Sequence, residues 1–416
     1  MVDSAALLVD EVLPHQPMRQ LSPGMACSRA MQEQLPRVLS FPFPLRFLFA
    51  TQPAVMGKVL GIVYRTIATY LVHKAGFTKL QAQTGAVTLI QRFGGSINLN
   101  IHFHMIFLDG IYIDGVHGSP PRFRWVKAPT SDELTHLTHT IAHRVARYLE
   151  RQGLLVRDAG NSYLTAEGVD ADPESPMNHL LGSSITYRIA MGPQQGRKVF
   201  TLQTLPDCRP DSPPAATVGT TAGFSLHAGV ATRVHERDKL ERLCRYIARP
   251  AVSTKRLSLT RHGKVRYELK TPYNDGTTQV LFEPLDFIAR LVALVPKPRV
   301  NLTRFHGVFA PNSKYRAWVT PAKRGKGRKI KPLGEKQDQT PAERRASMTW
   351  AQRLKRVFNI DVETCSECGG AVKVIACIED PAVIRKILAH LDEKAAPAGL
   401  GLLPECRAPP AAGLFD

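Results

Sequence analysis

Two histidines one residue apart, His102 and His104, lie inside the run Ile-Asn-Leu-Asn-Ile-His-Phe-His-Met-Ile-Phe-Leu from Ile97 to Leu108. In a β-strand successive side chains point to opposite faces, so a spacing of two puts both imidazoles on one face. Ile101, Phe103 and Met105 then line the other face. Asn98 and Asn100 share the histidine face, and a polar patch on a strand with buried ends needs a partner for its polar atoms. Neutral imidazoles are ready ligands for a divalent cation. A lone His-x-His is more often a hydrogen-bonded pair than a ligand pair, so its weight depends on what accompanies it.

What accompanies it is Tyr246, in Leu243-Cys-Arg-Tyr-Ile-Ala-Arg249-Pro250, on a helical run that also carries Arg242, Arg245 and Arg249. Guanidinium groups hold phosphate oxygens in bidentate pairs. A phenol beside arginines and a divalent metal suits attack on a phosphodiester. A tyrosyl ester conserves the energy of the broken bond, so strands can be rejoined without an external energy source.

The elements that must position these groups follow from periodicity. Val55, Val59, Ile62, Val63, Ile67 and Leu71 recur at helical spacing from Val55 to Leu71. Residues Ala86 to Ile90 and Ile97 to Tyr112 read as strands, with a turn at Asp109-Gly110. Thr130 with Glu133 three residues on is a capping-box signature for a helix through Leu134, Leu137, Ile141, Val145 and Leu149. A turn-rich insertion occupies about residues 155–215. Phe224 to Val230 resumes a strand, and Glu236 to Ala248 is a basic helix that stops at Arg249-Pro250.

The 416 residues carry 55 Lys and Arg against 35 Asp and Glu, a formal charge of +20. That field suits a polyanion, and nucleic acid is the leading partner. Lys323, Arg324, Lys326, Arg328 and Lys329 lie in one stretch from Lys323 to Lys331 without a carboxylate, which reads as a phosphate-binding arm. Seven irregularly spaced cysteines do not form a disulfide framework. Cys365 and Cys368, followed by Gly369-Gly370, form a CxxC turn that can present two thiolates to Zn²⁺. No secretory signal is visible, and Val38 to Ala50, the apolar run singled out, is too interrupted to span a bilayer, so a cytoplasmic protein of the bacterial nucleoid, away from membranes, is expected.

The stretches Ser40-Phe-Pro-Phe-Pro-Leu-Arg-Phe47, Leu99-Asn-Ile-His-Phe-His-Met105, Gly223-Phe-Ser-Leu-His-Ala-Gly229, Leu240 to Pro250, Asp275-Gly-Thr-Thr278 and Arg304-Phe-His-Gly-Val-Phe-Ala-Pro311 resemble HUH-endonuclease transposases that move by rolling-circle replication. Within these the likeness is to the insertion-sequence common-region type and its two-tyrosine relatives. The resemblance implies Tyr246 as nucleophile with Arg249 beside it, a metal (Mg²⁺ or Mn²⁺) at His102 and His104, and a 5′-phosphotyrosine intermediate. It also implies single-stranded DNA at the element's ends as partner, with Arg242 and Arg245 among the DNA contacts. His227, in the resumed strand, is the favoured third ligand, and Gln91, one strand before the histidine pair, is the alternative. Two-tyrosine members carry a second tyrosine four residues before the position of Tyr246; Arg242 stands there, as in the single-tyrosine type. The cysteine-rich ribbon with which members begin has no counterpart here.

The expected fold is α+β, an antiparallel central sheet with flanking helices, followed by a β-rich region and a helical tail. Residues 1–37 read as a lead-in or truncated ribbon remnant and 38–250 as the nuclease core. The β-rich region follows over 251–320, a basic linker over 321–340 and the tail, with helices over Ala342 to Phe358 and Pro381 to Leu391, over 341–416. The alternatives to a transposase are a plasmid replication initiator or relaxase with the same chemistry, and a DNA-binding remnant without turnover.

Overall fold

The computed structural model describes residues 2–22, 41–115, 119–157, 162–164, 175–204, 218–221, 224–273, 275–323, 349–365, 368–372, 378 and 380–394. The chain forms two compact units, residues 3–336 and residues 337–416. The fold of the first is α+β, with antiparallel sheets flanked by helices.

Seven helices of the first unit are α1 (Val2–Leu7), continued by a π-turn at Leu8–Val12, α2 (Phe43–Thr51), α3 (Pro53–Lys74), α4 (Ser131–Arg151), α5 (Pro176–Ile185), α6 (Arg237–Ile247) and α7 (Pro284–Leu294). Its strands are β1 (Met18–Ser22), β2 (Ala82–Gln83), β3 (Gly85–Phe93), β4 (Leu99–Leu108), β5 (Gly110–Ile113), β6 (Arg122–Trp125), β7 (Leu155–Arg157), β8 (Ser162–Leu164) and β9 (Phe200–Gln203). They continue with β10 (Val218–Thr221), β11 (Phe224–Thr232), β12 (Leu257–Leu259), β13 (Val265–Glu268), β14 (Thr277–Phe282) and β15 (Thr303–Gly307). The main sheet has the order β10-β11-β1-β4-β3-β15, and a second sheet the order β12-β13-β14-β9.

Both faces of β4 are covered, and all ten of its residues are buried. Leu99, Ile101, Phe103, Met105 and Phe107 pack into a core with α2, α3 and α4. Phe103 there meets Phe41 edge-on at 5.0 Å and stacks on Phe49. On the opposite face Ile106 and Leu108 join Leu240, Leu243, Cys244 and Ile247 of α6 in a second core. The histidines share that face and sit closer to the strand's start.

The capping box at Thr130 forms as expected: its side chain accepts from the Glu133 amide, and Glu133 accepts from the Thr130 amide at 2.7 Å. Glu133 also pairs with Lys74 at 2.5 Å, tying α4 to α3. Although α3 is long and apolar enough by length and composition to cross a membrane, more so than the Val38 to Ala50 run, it buries Met56, Val59, Val63, Ile67 and Leu71 in the protein core.

The lead-in expected over residues 1–37 contains a strand of the main sheet. Met18–Ser22 runs between β4 and β11, antiparallel to both, and Arg19 forms a bidentate pair with Asp109 at 2.8 and 2.9 Å. Nor is residue 250 a boundary, since β15 pairs with β3 and lies in the same compact unit. The expected insertion supplies β9, which pairs with β14. The tip of the β3–β4 hairpin reaches the second sheet, where fully buried Ile97 joins Tyr267, Leu269, Val280 and Phe282. Ile97 adopts φ 57° to do so, a left-handed conformation that is costly for a β-branched residue and is held by its surroundings.

In the second unit Thr349 caps a helix, Trp350–Phe358, with its own capping box. Residues 342–348 of the longer helix expected there lie outside the described residues. The last helix runs Pro381–Lys394.

Candidate active site

The histidine face of β4 meets Gln91 of β3, the residue registered against His102. Gln91 Oε1 lies 3.1 Å from Nε2 of His102 and 3.1 Å from Nε2 of His104. Gln91 Nε2 donates to the Ile247 carbonyl at 2.5 Å. That bond fixes which way round the amide sits and leaves Oε1 facing the rings.

Proton positions follow from the partners. His102 donates from Nδ1 to the Asn100 carbonyl at 2.7 Å, so a neutral ring presents a lone pair on Nε2. Burial holds the ring neutral, lowering its pKa to about 4, and the nearby charges of Arg249 and Arg46 push the same way. An imidazole lone pair therefore points at a carbonyl lone pair, two acceptors with no proton between them. Gln20 of β1 donates from Nε2 to Nδ1 of His104 at 2.8 Å, while its Oε1 is buried without a hydrogen-bond partner among the described residues. Turning that amide over would let Oε1 accept from Nδ1–H and expose the His104 Nε2 lone pair as well. Burial, His102 and Arg249 all keep His104 neutral.

With the Gln20 amide so turned, three acceptors (His102 Nε2, His104 Nε2 and Gln91 Oε1) converge at one point, which a cation would satisfy. Two imidazoles and an amide oxygen are a donor set that Mg²⁺, Mn²⁺ or Zn²⁺ accepts. A histidine held through Nδ1–H by a backbone carbonyl is oriented as metal-bound histidines are.

Tyr246 borders this point. Its ring meets that of His104 edge-on with centroids 6.4 Å apart. Arg249 lies over the Tyr246 ring at 4.3 Å, and the Lys270 ammonium over it at 5.4 Å. Arg249 also reaches the Phe93 ring at 5.9 Å. α6 places Tyr246 here because Leu240, Leu243, Cys244 and Ile247 are buried in the core, partly buried Tyr246 packs at its edge, and Arg242, one turn before it, is exposed.

His227 is not part of this group. It lies on β11, registered against Ser22, with β1 standing between it and β4. Among the described residues no three His, Cys, Asp or Glu side chains gather as a metal cluster. Gln91, whose Oε1 faces both rings, is an amide that such a cluster does not count.

Arg245, expected to contact DNA, points inward. It pairs with Glu241 at 2.9 Å, both side chains being largely buried, and the pair stiffens α6 rather than offering a guanidinium to a phosphate. Arg242 is exposed. Lys323 is exposed with φ 49°. Arg324, Lys326, Arg328 and Lys329 lie outside the described residues. In the second unit, where Cys365 and Cys368 lie, the Gly369 amide donates to the Cys365 carbonyl at 3.0 Å and Cys365 N to Gly370 O at 2.9 Å. Gly369 has φ +68°, open to it because it lacks a Cβ.

Three contributors escaped the sequence reading. Gln20 had no signal, because its partner is 84 positions away. Arg46 lay inside the Ser40 to Phe47 stretch without a stated role, and its charge bears on His102. Lys270, between β13 and β14, reaches Tyr246 only through the fold.

An α+β core with a histidine pair at the centre of its sheet and a tyrosine and arginine on a neighbouring helix defines a DNA-processing enzyme when set beside the family it matches. The transposase family model Y2_Tnp matches residues 85–316, and the chain belongs to that family. No curated protein and no solved structure matches the chain significantly.

Proposed function

We propose that this transposase is an HUH-type enzyme of the single-tyrosine, common-region kind, which nicks and rejoins single-stranded DNA in rolling-circle transposition. The observation that supports it most is the apposition of the His102 Nε2 lone pair and Gln91 Oε1 beside Tyr246. His102, His104 and Gln91 would hold Mg²⁺ or Mn²⁺, which when bound polarises the scissile phosphate and stabilises its developing charge.

Tyr246 Oη forms a bond to phosphorus as the bond to the 3′ oxygen breaks. The phenolic proton ends on that oxygen, leaving a free 3′-hydroxyl, and the 5′-phosphate stays on the tyrosine. Attack by another 3′-hydroxyl reverses the step and joins strands. Arg249, stacked on the phenol ring, is placed to hold the phosphate's non-bridging oxygens. Arg46, Arg249 and Lys270 keep the surroundings positive.

The test incubates the full chain with labelled single-stranded DNA from the element's ends, with Mn²⁺ or EDTA, on a denaturing gel. A covalent adduct that requires Mn²⁺ and is absent in Tyr246→Phe and His102→Ala supports the reading. An adduct that persists in Tyr246→Phe, or binding without any adduct, refutes it.

A further inference from the structure

The second sheet has one face on a core and one open. Tyr267, Val280 and Phe282 pack with Phe287 and Leu291 of α7. By register, the opposite face aligns Phe200 of β9, Leu281 of β14, Arg266 of β13 and Ser258 of β12 in one cross-strand row, and Leu202, Gln279 and Glu268 in the next. Phe200 and Leu202 are each 40% exposed. Arg266 is exposed and held across the sheet by Ser258 Oγ at 2.8 Å.

Along β13 the period of two puts Lys264, Arg266, Glu268 and Lys270 on this open side, while Tyr267 and Leu269 are buried. The row does not end in solvent. Its last member, Lys270, is the lysine over the Tyr246 ring. Its first, Lys264, sits 5.3 Å over the Phe200 ring and pairs with Glu283 at 2.8 Å. An exposed aromatic and aliphatic surface flanked by cations, running into a phosphate-cleaving tyrosine, has the chemistry of a single-strand platform. Bases stack on the ring and guanidinium, and phosphates meet the cations. Glu268, the one carboxylate in the row, repels a phosphate at its own position and so directs backbone contacts to Arg266 and Lys270.

We propose that the open face of the β12-β13-β14-β9 sheet is a binding platform for the single-stranded DNA that flanks the cleaved phosphate. The strand lies along β13, with a base against Phe200 and phosphates at Arg266 and Lys270. This rests on the reading of Tyr246 as the nucleophile for single-stranded DNA, and it adds where the rest of that strand goes.

The test measures fluorescence anisotropy of a labelled oligothymidine of about 20 nucleotides with the full chain. Base stacking on one side chain is worth about 1–3 kcal/mol, so Phe200→Ala raises Kd about fivefold to 150-fold. Arg266→Gln weakens binding and lowers the salt slope by about one counterion. Phe200→Trp keeps affinity and its added fluorescence is quenched on binding, a readout that does not depend on lost stability. Binding by Phe200→Ala and Arg266→Gln within about twofold of the native protein, with no quenching in Phe200→Trp, overturns the platform. So does a loss that is equal for a matched duplex, whose stacked bases offer no free face. The covalent adduct separates the two readings: if the native protein forms it while these variants bind normally, only the platform fails. If the variants lose binding and the native protein forms no adduct, the platform stands and the nuclease reading falls.

Discussion

Gln91 Nε2 donates to the Ile247 carbonyl at 2.5 Å, so the amide that faces the histidine pair is also tied to the residue following Tyr246. The acceptor that fixes the Gln91 amide, and so aims Oε1 at the rings, is supplied by the helix that carries Tyr246. On the proposed reading, metal affinity and tyrosine position would be coupled through one side chain.

Gln91→Ala should lower Mn²⁺ affinity about a hundredfold. Gln20→Ala, which leaves His102, His104 and Gln91 in place but strips a hydrogen bond from His104, should lower it about tenfold. Calorimetric Mn²⁺ titration of the native chain and both variants checks the order. Equal affinities in all three would remove Gln91 and Gln20 from the metal site.

Arg245 and Glu241 form a largely buried ion pair within α6. Removing one partner deprives a buried charge of its ion pair, at a cost of about 3–5 kcal/mol. Thermal unfolding of Arg245→Ala should show that loss, and the double variant Glu241→Leu/Arg245→Met should recover most of it. Arg242→Ala, on the exposed face, should leave unfolding unchanged and weaken DNA binding.

His306 bridges β15 to the rest of the fold, stacking on Tyr64 at 4.6 Å and bonding to Thr88 at 3.1 Å. Burial lowers its pKa from 6.5 to about 4, aided by Arg304. Between those values the unfolded chain binds a proton that the folded chain does not. Stability therefore falls as pH drops from 6.5 towards 4, by about 1.4 kcal/mol per pH unit while the difference is one full proton. Urea unfolding at pH 7 and pH 5 should show the decline, and His306→Asn should make it shallower.

Gly307 closes the same strand at φ +58°, where an added Cβ would overlap the Thr84 carbonyl oxygen and the Tyr64 hydroxyl. Gly307→Ala should cost about 3 kcal/mol or more, because backbone strain and overlap add. If denaturation shows a change within about 0.5 kcal/mol, typical of a surface position, β15 is not held as described.

The parts of this protein legible from sequence were those with a local period or local chemistry. The alternation around His102 and His104, the capping box at Thr130, and the helices α3 and α6 needed only neighbours within a few turns. β1 had no such signal. Met-Arg-Gln-Leu-Ser lies between two strands, and the side chains of Arg19 and Gln20 bond to Asp109 and His104, more than 80 positions away. The choice between Gln91 and His227 was likewise a question of strand order. Both residues neighbour strand signals, and only the insertion of β1 between β4 and β11 moves His227 away. Arg245 and Arg242 read alike as basic helix residues, and the core contacts of α6 decide which one turns inward.

The position of β1 also bears on when the enzyme comes into being. β1 emerges early in synthesis, pairs with β4 some 80 residues later and with β11 after more than 200, as Met18 against Thr232 illustrates. Contacts so distant in sequence form late and slowly. Gln20 thus cannot settle against His104 with both flanking strands in place until α6 and Tyr246, which follow β11, are nearly out of the ribosome. A fragment ending before β11 would carry both histidines yet lack the strand that walls β1 in. On the proposed reading, DNA would not meet a half-made cutter, because Tyr246 is synthesised only after both histidines and β11.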